Sequence, residues 1–217
     1  MSASLDLRAR LVSGAAELGV PLEAGQVDAL LAYLRLLGRW SRAYNLTSVI
    51  EPGEMVVRHL LDSLAVAPFV QGRRCLDVAT GAGLPGLVLA IAGPTREWTV
   101  LDSNGKKARF CRQVVLELGL KQVEVVQSRV EDYLPERPFD TVTARAWAPL
   151  VEVVGRVSRL VAAGGRILAL KGVLPEAELA GLVNPPGPVS VHRLHVPGLA
   201  AARHLVVVRV DAESTQP

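Results

Sequence analysis

Two aspartates and a run of glycines carry the most evident chemistry in this chain. Asp77 ends the apolar stretch Cys75-Leu76-Asp77-Val78 and stands four residues before Gly81-Ala82-Gly83-Leu84-Pro85-Gly86. Asp102 closes the next apolar run, Trp98-Thr99-Val100-Leu101. Glycines let a backbone approach a ligand closely, and an acid about 20 positions on can hold a ribose hydroxyl. The pattern therefore reads as a nucleotide-binding turn. Its literal form, G-x-G-x-x-G, suggests a dinucleotide. Asp77 opposes that reading, because a pyrophosphate is negative. A ligand with a cationic end suits the carboxylate better. S-adenosylmethionine has such an end, with an ammonium, a sulfonium and no phosphate. An acid closing one strand, a glycine turn, then an acid closing the next strand is the arrangement of methyltransferases. A dinucleotide, or a structural turn with no ligand, stays open at this point.

Basic residues form two clusters. Arg35, Arg39 and Arg42 recur at helical spacing and share one face. Lys106, Lys107, Arg109 and Arg112 follow Asp102. Both are candidates for phosphate contact, and a solvated helix face is the duller alternative. Arg145 and Lys171 each end a predicted strand, and Trp147 is a candidate platform for an unpaired base. Arg145 has a plainer alternative in an ion pair with Asp77 or another local acid, and Trp147 in an apolar plug against the N-terminal helices. His59 and Asp62 are three apart on a helix and share a face. They read as a tie between the N-terminal segment and the ligand crevice rather than a catalytic pair. His192, His195 and His204 suggest nothing specific. Cys75 and Cys111 read as reduced core thiols, too few for a disulfide framework, and no cluster has metal-ligand spacing.

These residues need a scaffold to bring them together. Residues 5–18, 23–44 and 51–66 have helical periodicity, with a polar turn at 44–49. From Arg74 the pattern changes to strands at 74–78, 97–101, 122–127, 139–144 and 165–171, with helices at 84–92, 104–118, 131–134 and 149–162. Two further strands are expected at 189–196 and 204–210. Such alternation predicts an α/β fold with a mostly parallel sheet and helices on both faces. The division expected is a helical N-terminal extension, residues 1–70, and a ligand-binding domain, residues 71–217. In such sheets ligands bind at the carboxyl ends of the strands. Asp77, Asp102, residues 128–131, Arg145 and Lys171 should therefore line one crevice. Half of the 217 residues are apolar, enough for a large core. No apolar run reaches the ~18–20 residues a membrane span needs. The first residues lack the pattern of a secretory signal, so a cytosolic protein is expected. The net charge of +3 is too small to imply a nucleic-acid partner by itself.

Several segments together resemble the RsmG (GidB) family of bacterial ribosomal RNA methyltransferases. They are Tyr44-Asn45-Leu46-Thr47, Arg58-His59-Leu60-Leu61-Asp62-Ser63-Leu64, Asp77 to Gly86, Leu101-Asp102-Ser103, Ser128-Arg129-Val130-Glu131, Arg145-Ala146 and Leu170-Lys171-Gly172. The resemblance implies a Rossmann-like class I methyltransferase fold with a seven-stranded sheet. It implies methyl transfer from S-adenosylmethionine to N7 of one guanine in 16S ribosomal RNA, guanine 527 in the standard numbering. S-adenosylhomocysteine would be the product. It places cofactor contacts at Ala79, Gly81, Gly83, Leu84, Val130, Glu131 and Arg145, with Asp102 on the ribose and Asp77 behind the turn. Arg145 would position the reactants, and no general base is expected. The candidates for RNA contact are Arg35, Arg39, Arg42, Lys106, Trp147 and Lys171. The implied partner is 16S rRNA or a small-subunit particle, with no metal, membrane or DNA and the protein a monomer. Ala79 departs from the family, which usually has glycine there. If the position needs a positive φ, alanine is costly. Two other functions share part of this pattern: a small-molecule methyltransferase, and a ribosome-assembly factor that binds RNA without catalysis.

Overall fold

The computed structural model describes residues 2–211, with side chains from Asp6 onward. Helix α1 (Ser2–Glu17) is followed by α2 (Ala24–Tyr44). A capping box starts α2: the Glu23 amide donates to Gln26 Oε1 at 2.7 Å, and the Glu23 side chain accepts from the backbone of the first turn. Val27, Leu30, Leu31, Leu34 and Leu37 are buried along one stripe of α2. Asn45, with a left-handed φ of 50°, ends it. Next come α3 (Pro52–Met55), a π-helical turn (Val56–Leu61) and α4 (Asp62–Leu64), which run together as one rod.

The sheet contains β1 (Arg74–Val78), β2 (Glu97–Leu101), β3 (Val123–Val126), β4 (Phe139–Arg145), β5 (Val161–Lys171), β6 (Val189–Leu194) and β7 (Arg203–Arg209). Their order is β3-β2-β1-β4-β5-β7-β6. The first five in that order pair in parallel, and β7 runs antiparallel to both β5 and β6. Helices α5 (Gly86–Ala92), α6 (Gly105–Leu118), α7 (Leu150–Val157) and α8 (Glu176–Ala180) complete the fold. Strand alternation splits the core into two layers. Cys75 of β1 faces a layer shared with α1, α2, α5 and α6, whereas Leu76 and Val78 face a layer built with α7. The N-terminal helices and one face of the sheet thus bury a single continuous core. Tyr33 of α2 and Phe110 of α6 are both fully buried there, with ring centroids 6.3 Å apart.

The elements depart from the sequence reading in several places: α8 has no counterpart in it, and the helix expected to run to residue 162 ends at Val157. Residues 131–134 form a turn instead of a helix. Arg159 donates to the carbonyls of Val130, Glu131 and Tyr133, and the backbone bonds here are i→i+3, from the Asp132 amide to Arg129 and from the Tyr133 amide to Val130. Helix α5 begins at Gly86 rather than at residue 84, after a cis Leu84–Pro85 peptide. Strand β5 starts at Val161, well before residue 165. Gly164 and Gly165 lie inside the strand, at an irregularity where the register with β4 shifts.

Candidate active site

The glycine turn is built outward from Asp77. This residue is fully buried. Its Oδ1 accepts from Thr143 Oγ1 at 2.7 Å, and its Oδ2 accepts from the Gly86 amide at 2.9 Å and from the Thr80 hydroxyl. Burial pushes the carboxyl up to about 6 despite these bonds. A Cβ on Gly86 would lie 2.7 Å from Asp77 Cβ, so only glycine lets α5 start this close to the carboxylate. Asp102 holds the turn from β2. Its Oδ2 accepts from the Gly81 amide at 2.9 Å and its Oδ1 from the Asn104 amide at 2.8 Å. Tyr33 of α2 donates to the Ala82 carbonyl at 2.8 Å. Ala79 has a left-handed φ of 50°, the conformation that the sequence reading named as the costly case.

Beside the turn lies a cavity of about 420 Å³. Residues 79–82 and Leu84 form one wall. Arg145 of β4, Lys171 of β5, Arg203 of β7 and Lys107 of α6 contribute cationic side chains, and Thr47, His59 and Asp62 come from the N-terminal segment. Asp62 is nearly buried and accepts from Arg203 Nε at 2.8 Å and from Arg145 Nη1 at 3.4 Å. His59 Nε2 meets Thr47 Oγ1 at 2.9 Å. Burial, and then the Arg145 charge, push the imidazole down to about 4, so it is neutral near pH 7.

The residues singled out in the sequence divide by position. Ala79, Gly81, Leu84, Arg145 and Lys171 line the cavity; Asp77, Gly83, Asp102, Val130 and Glu131 do not. Asp77 faces into the turn, so its charge acts on a ligand only through the backbone that it holds. Val130 is buried in the α7 layer, while Glu131 is exposed and pairs with Arg156 at 2.8 Å. Arg145 does meet a local acid, but that acid is Asp62, not Asp77. Lys171 is drawn to Glu178 at 2.7 Å and to the Ala148 carbonyl at 3.2 Å. Trp147 packs against the α7 layer, not the N-terminal helices, with the Arg156 guanidinium 5.6 Å from its ring centroid. Lys106 is exposed outside the cavity, and its neighbour Lys107 lines it instead. Arg35, Arg39 and Arg42 line a separate groove of about 1100 Å³ with Arg10, Leu31 and Ile50.

The sequence reading missed Arg203 and Thr47 as members of the site. Arg203 sits in the tail with no motif around it. Only the reversed direction of β7 brings the start of that strand to the carboxyl edge of its parallel neighbours.

Comparison with known proteins bears on the family and the fold. A family model described as rRNA small subunit methyltransferase G matches residues 26–206. The chain is 52% identical over 204 residues to ribosomal RNA small subunit methyltransferase G of Alkalilimnicola ehrlichii, covering 94% of this chain and 93% of that protein. It is 49% identical over 202 residues to the protein of that name from Pseudomonas syringae pv. syringae, covering 93% and 94%. Among solved structures, a precorrin-6y C5,15-methyltransferase from Geobacter metallireducens superposes with a TM-score of 0.55 at 15% identity, over 69% of this chain and 87% of that one. A SAM-dependent methyltransferase from Aquifex aeolicus gives 0.52 at 20% identity, over 70% and 90%. The fold is therefore the Rossmann-like class I methyltransferase fold. With its family model spanning the sheet and most of the helical segment, the chain belongs to the rRNA small subunit methyltransferase G (GidB/RsmG) family.

Proposed function

We propose that this protein transfers the methyl group of S-adenosylmethionine to N7 of a guanine in 16S ribosomal RNA, the position numbered 527 in the standard scheme. The observation that carries the cofactor half is the occupation of the turn's amides. A pyrophosphate needs free backbone N–H groups at a glycine turn and helix start. Here the Gly86 amide is taken by Asp77 and the Gly81 amide by Asp102. With both amides taken, the turn has little to offer a pyrophosphate. The RNA half rests on the family and on the four cations around the cavity.

When bound, S-adenosylmethionine supplies a methyl group on a positively charged sulfur. The turn at 79–84 and Asp102 would hold it, since a carboxylate that takes two amides keeps lone pairs for a ribose hydroxyl. Val130 and Glu131 would contribute from the turn after β3. Guanine N7 has a lone pair and no proton to lose, so the chain needs no general base. Arg145 is the residue best placed to orient the reactants, and neutral His59 adds no charge against the base as it becomes positive. Catalysis is then positioning and electrostatics.

The test compares small-subunit rRNA from cells with and without the protein. One 7-methylguanosine should be lost in its absence and restored by the wild-type chain. Purified protein should bind S-adenosylmethionine in preference to NAD. An unchanged methylation map or a preference for NAD would overturn the reading. Cofactor binding without rRNA methylation would favour a small-molecule methyltransferase, and RNA binding without cofactor binding would favour an assembly factor.

A further inference from the structure

One carboxylate at the mouth of the cavity serves two guanidiniums. Asp62 caps the π-helical turn (Val56–Leu61) in the N-terminal segment, and its side chain is only 6% exposed. Arg145 comes from the end of β4 and Arg203 from the start of β7, with β5 between them in the sheet. Two positive charges against one negative leave an excess of about one charge facing the cavity. The two pairs are unequal. Arg203 Nε lies 2.8 Å from Oδ1, a full charge-assisted bond. Arg145 Nη1 lies 3.4 Å from Oδ2 and 3.5 Å from the Arg58 carbonyl, both at the long limit of hydrogen bonding. An arriving oxyanion therefore competes with Asp62 at Arg145, where the existing bonds are weak. Arg203 stays as the anchor of the carboxylate.

We propose that Asp62 is a positioning residue for the reaction, holding Arg145 loosely beside the cavity so that this guanidinium closes on an oxyanion of the bound reactants. The proposal rests on the methyltransferase reading above. Two groups have the required chemistry: the carboxylate of the cofactor's methionine half, and a phosphate next to the target guanine. In either case Asp62 has two opposed effects. It weakens binding, because it competes for Arg145. It aids turnover, because it fixes where Arg145 stands.

Asp62→Asn removes the competing charge and keeps the shape. We expect tighter binding of S-adenosylhomocysteine or of the rRNA substrate, together with a kcat lower by on the order of 10- to 100-fold. The rise identifies the oxyanion. Several-fold tighter S-adenosylhomocysteine binding assigns it to the methionine carboxylate. A salt dependence of RNA binding steeper by about one phosphate contact, a change of roughly 0.7–0.9 in the log–log slope, assigns it to the RNA. A merely structural role would weaken binding, turnover and thermal stability together, and would overturn the proposal. So would a folded Asp62→Asn protein with wild-type affinities, salt slope and kcat. Should the Asn variant fail to fold, Asp62→Ser carries the same comparison. If the wild-type protein bound neither S-adenosylhomocysteine nor rRNA, the functional reading would fail before any variant was compared.

Discussion

Ala79 is where the identity of one residue and the shape of the site disagree most. Its φ of 50° is a left-handed conformation, which costs an L-residue roughly 1–2 kcal/mol. Glycine would avoid that cost but lose more conformational entropy on folding, about 0.5–1 kcal/mol. Alanine persists here because its neighbours over-determine the turn: Thr80 N donates to the Leu101 carbonyl at 3.0 Å, and the Thr80 hydroxyl goes to Asp77. Ala79→Gly should therefore raise the unfolding free energy by about 0.5–1 kcal/mol and leave cofactor affinity equal or tighter. Chemical denaturation and cofactor titration check both parts. A lower stability would mean that the turn is not strained at this position. Ala79 itself is legible in the sequence, but its φ is not. Backbone conformation at one residue depends on hydrogen bonds to Leu101 and Asp77, from two different strands.

At the scale of elements, the turn at residues 130–133 is bonded to a side chain distant in sequence. Arg159 lies in the short 3₁₀ segment after α7. Its Nη2 donates to the carbonyls of Val130 at 2.6 Å and Glu131 at 3.0 Å, and its Nη1 to that of Tyr133 at 3.0 Å. These charged bonds span 26 to 29 residues of sequence, beyond the reach of any periodicity argument. They shape the segment that the resemblance assigns to the cofactor. Arg159→Ala should raise the KM for S-adenosylmethionine about tenfold, the loss of roughly 1.4 kcal/mol, with kcat little changed. Steady-state kinetics at saturating RNA separates the two. A wild-type KM would show that the turn keeps its shape without the guanidinium. By contrast, the exposed Glu131–Arg156 pair should add little stability of its own.

Across the whole molecule, two basic regions lie on different parts of the surface. One is the cavity edge with Lys107, Arg145, Lys171 and Arg203, and the other is the groove with Arg10, Arg35, Arg39 and Arg42, which also carries Asp6, Glu51 and Glu117. Arg39 meets Glu117 at 3.6 Å with both side chains exposed, a weak pair that a phosphate could replace. Replacing Arg35, Arg39 and Arg42 together by Ala should weaken RNA binding and make its salt dependence shallower by up to two or three phosphate contacts, about 0.7–0.9 in slope for each. Turnover at saturating RNA should be unchanged, because these residues do not line the cavity. Binding titrations over a salt series check this. An unchanged slope would assign the groove to a solvated face.

The sequence by itself determined the glycine turn, the two aspartates near the ends of their strands, and the alternation of strand and helix. These are local patterns, set by backbone freedom, side-chain period and strand length. It also pointed to Arg145 and Lys171, because the carboxyl ends of parallel strands lie on one edge. The tertiary structure alone decided what those residues face. It turned Asp77 inward to hold Gly86, and it gave Arg145 the acid of a distant helical segment as its partner. It also brought Arg203 to the site from a tail without a motif. The physical reason is the same in each case. A side chain's partner is fixed by which strands pair and in which direction, and those choices come from burying one core across the whole chain.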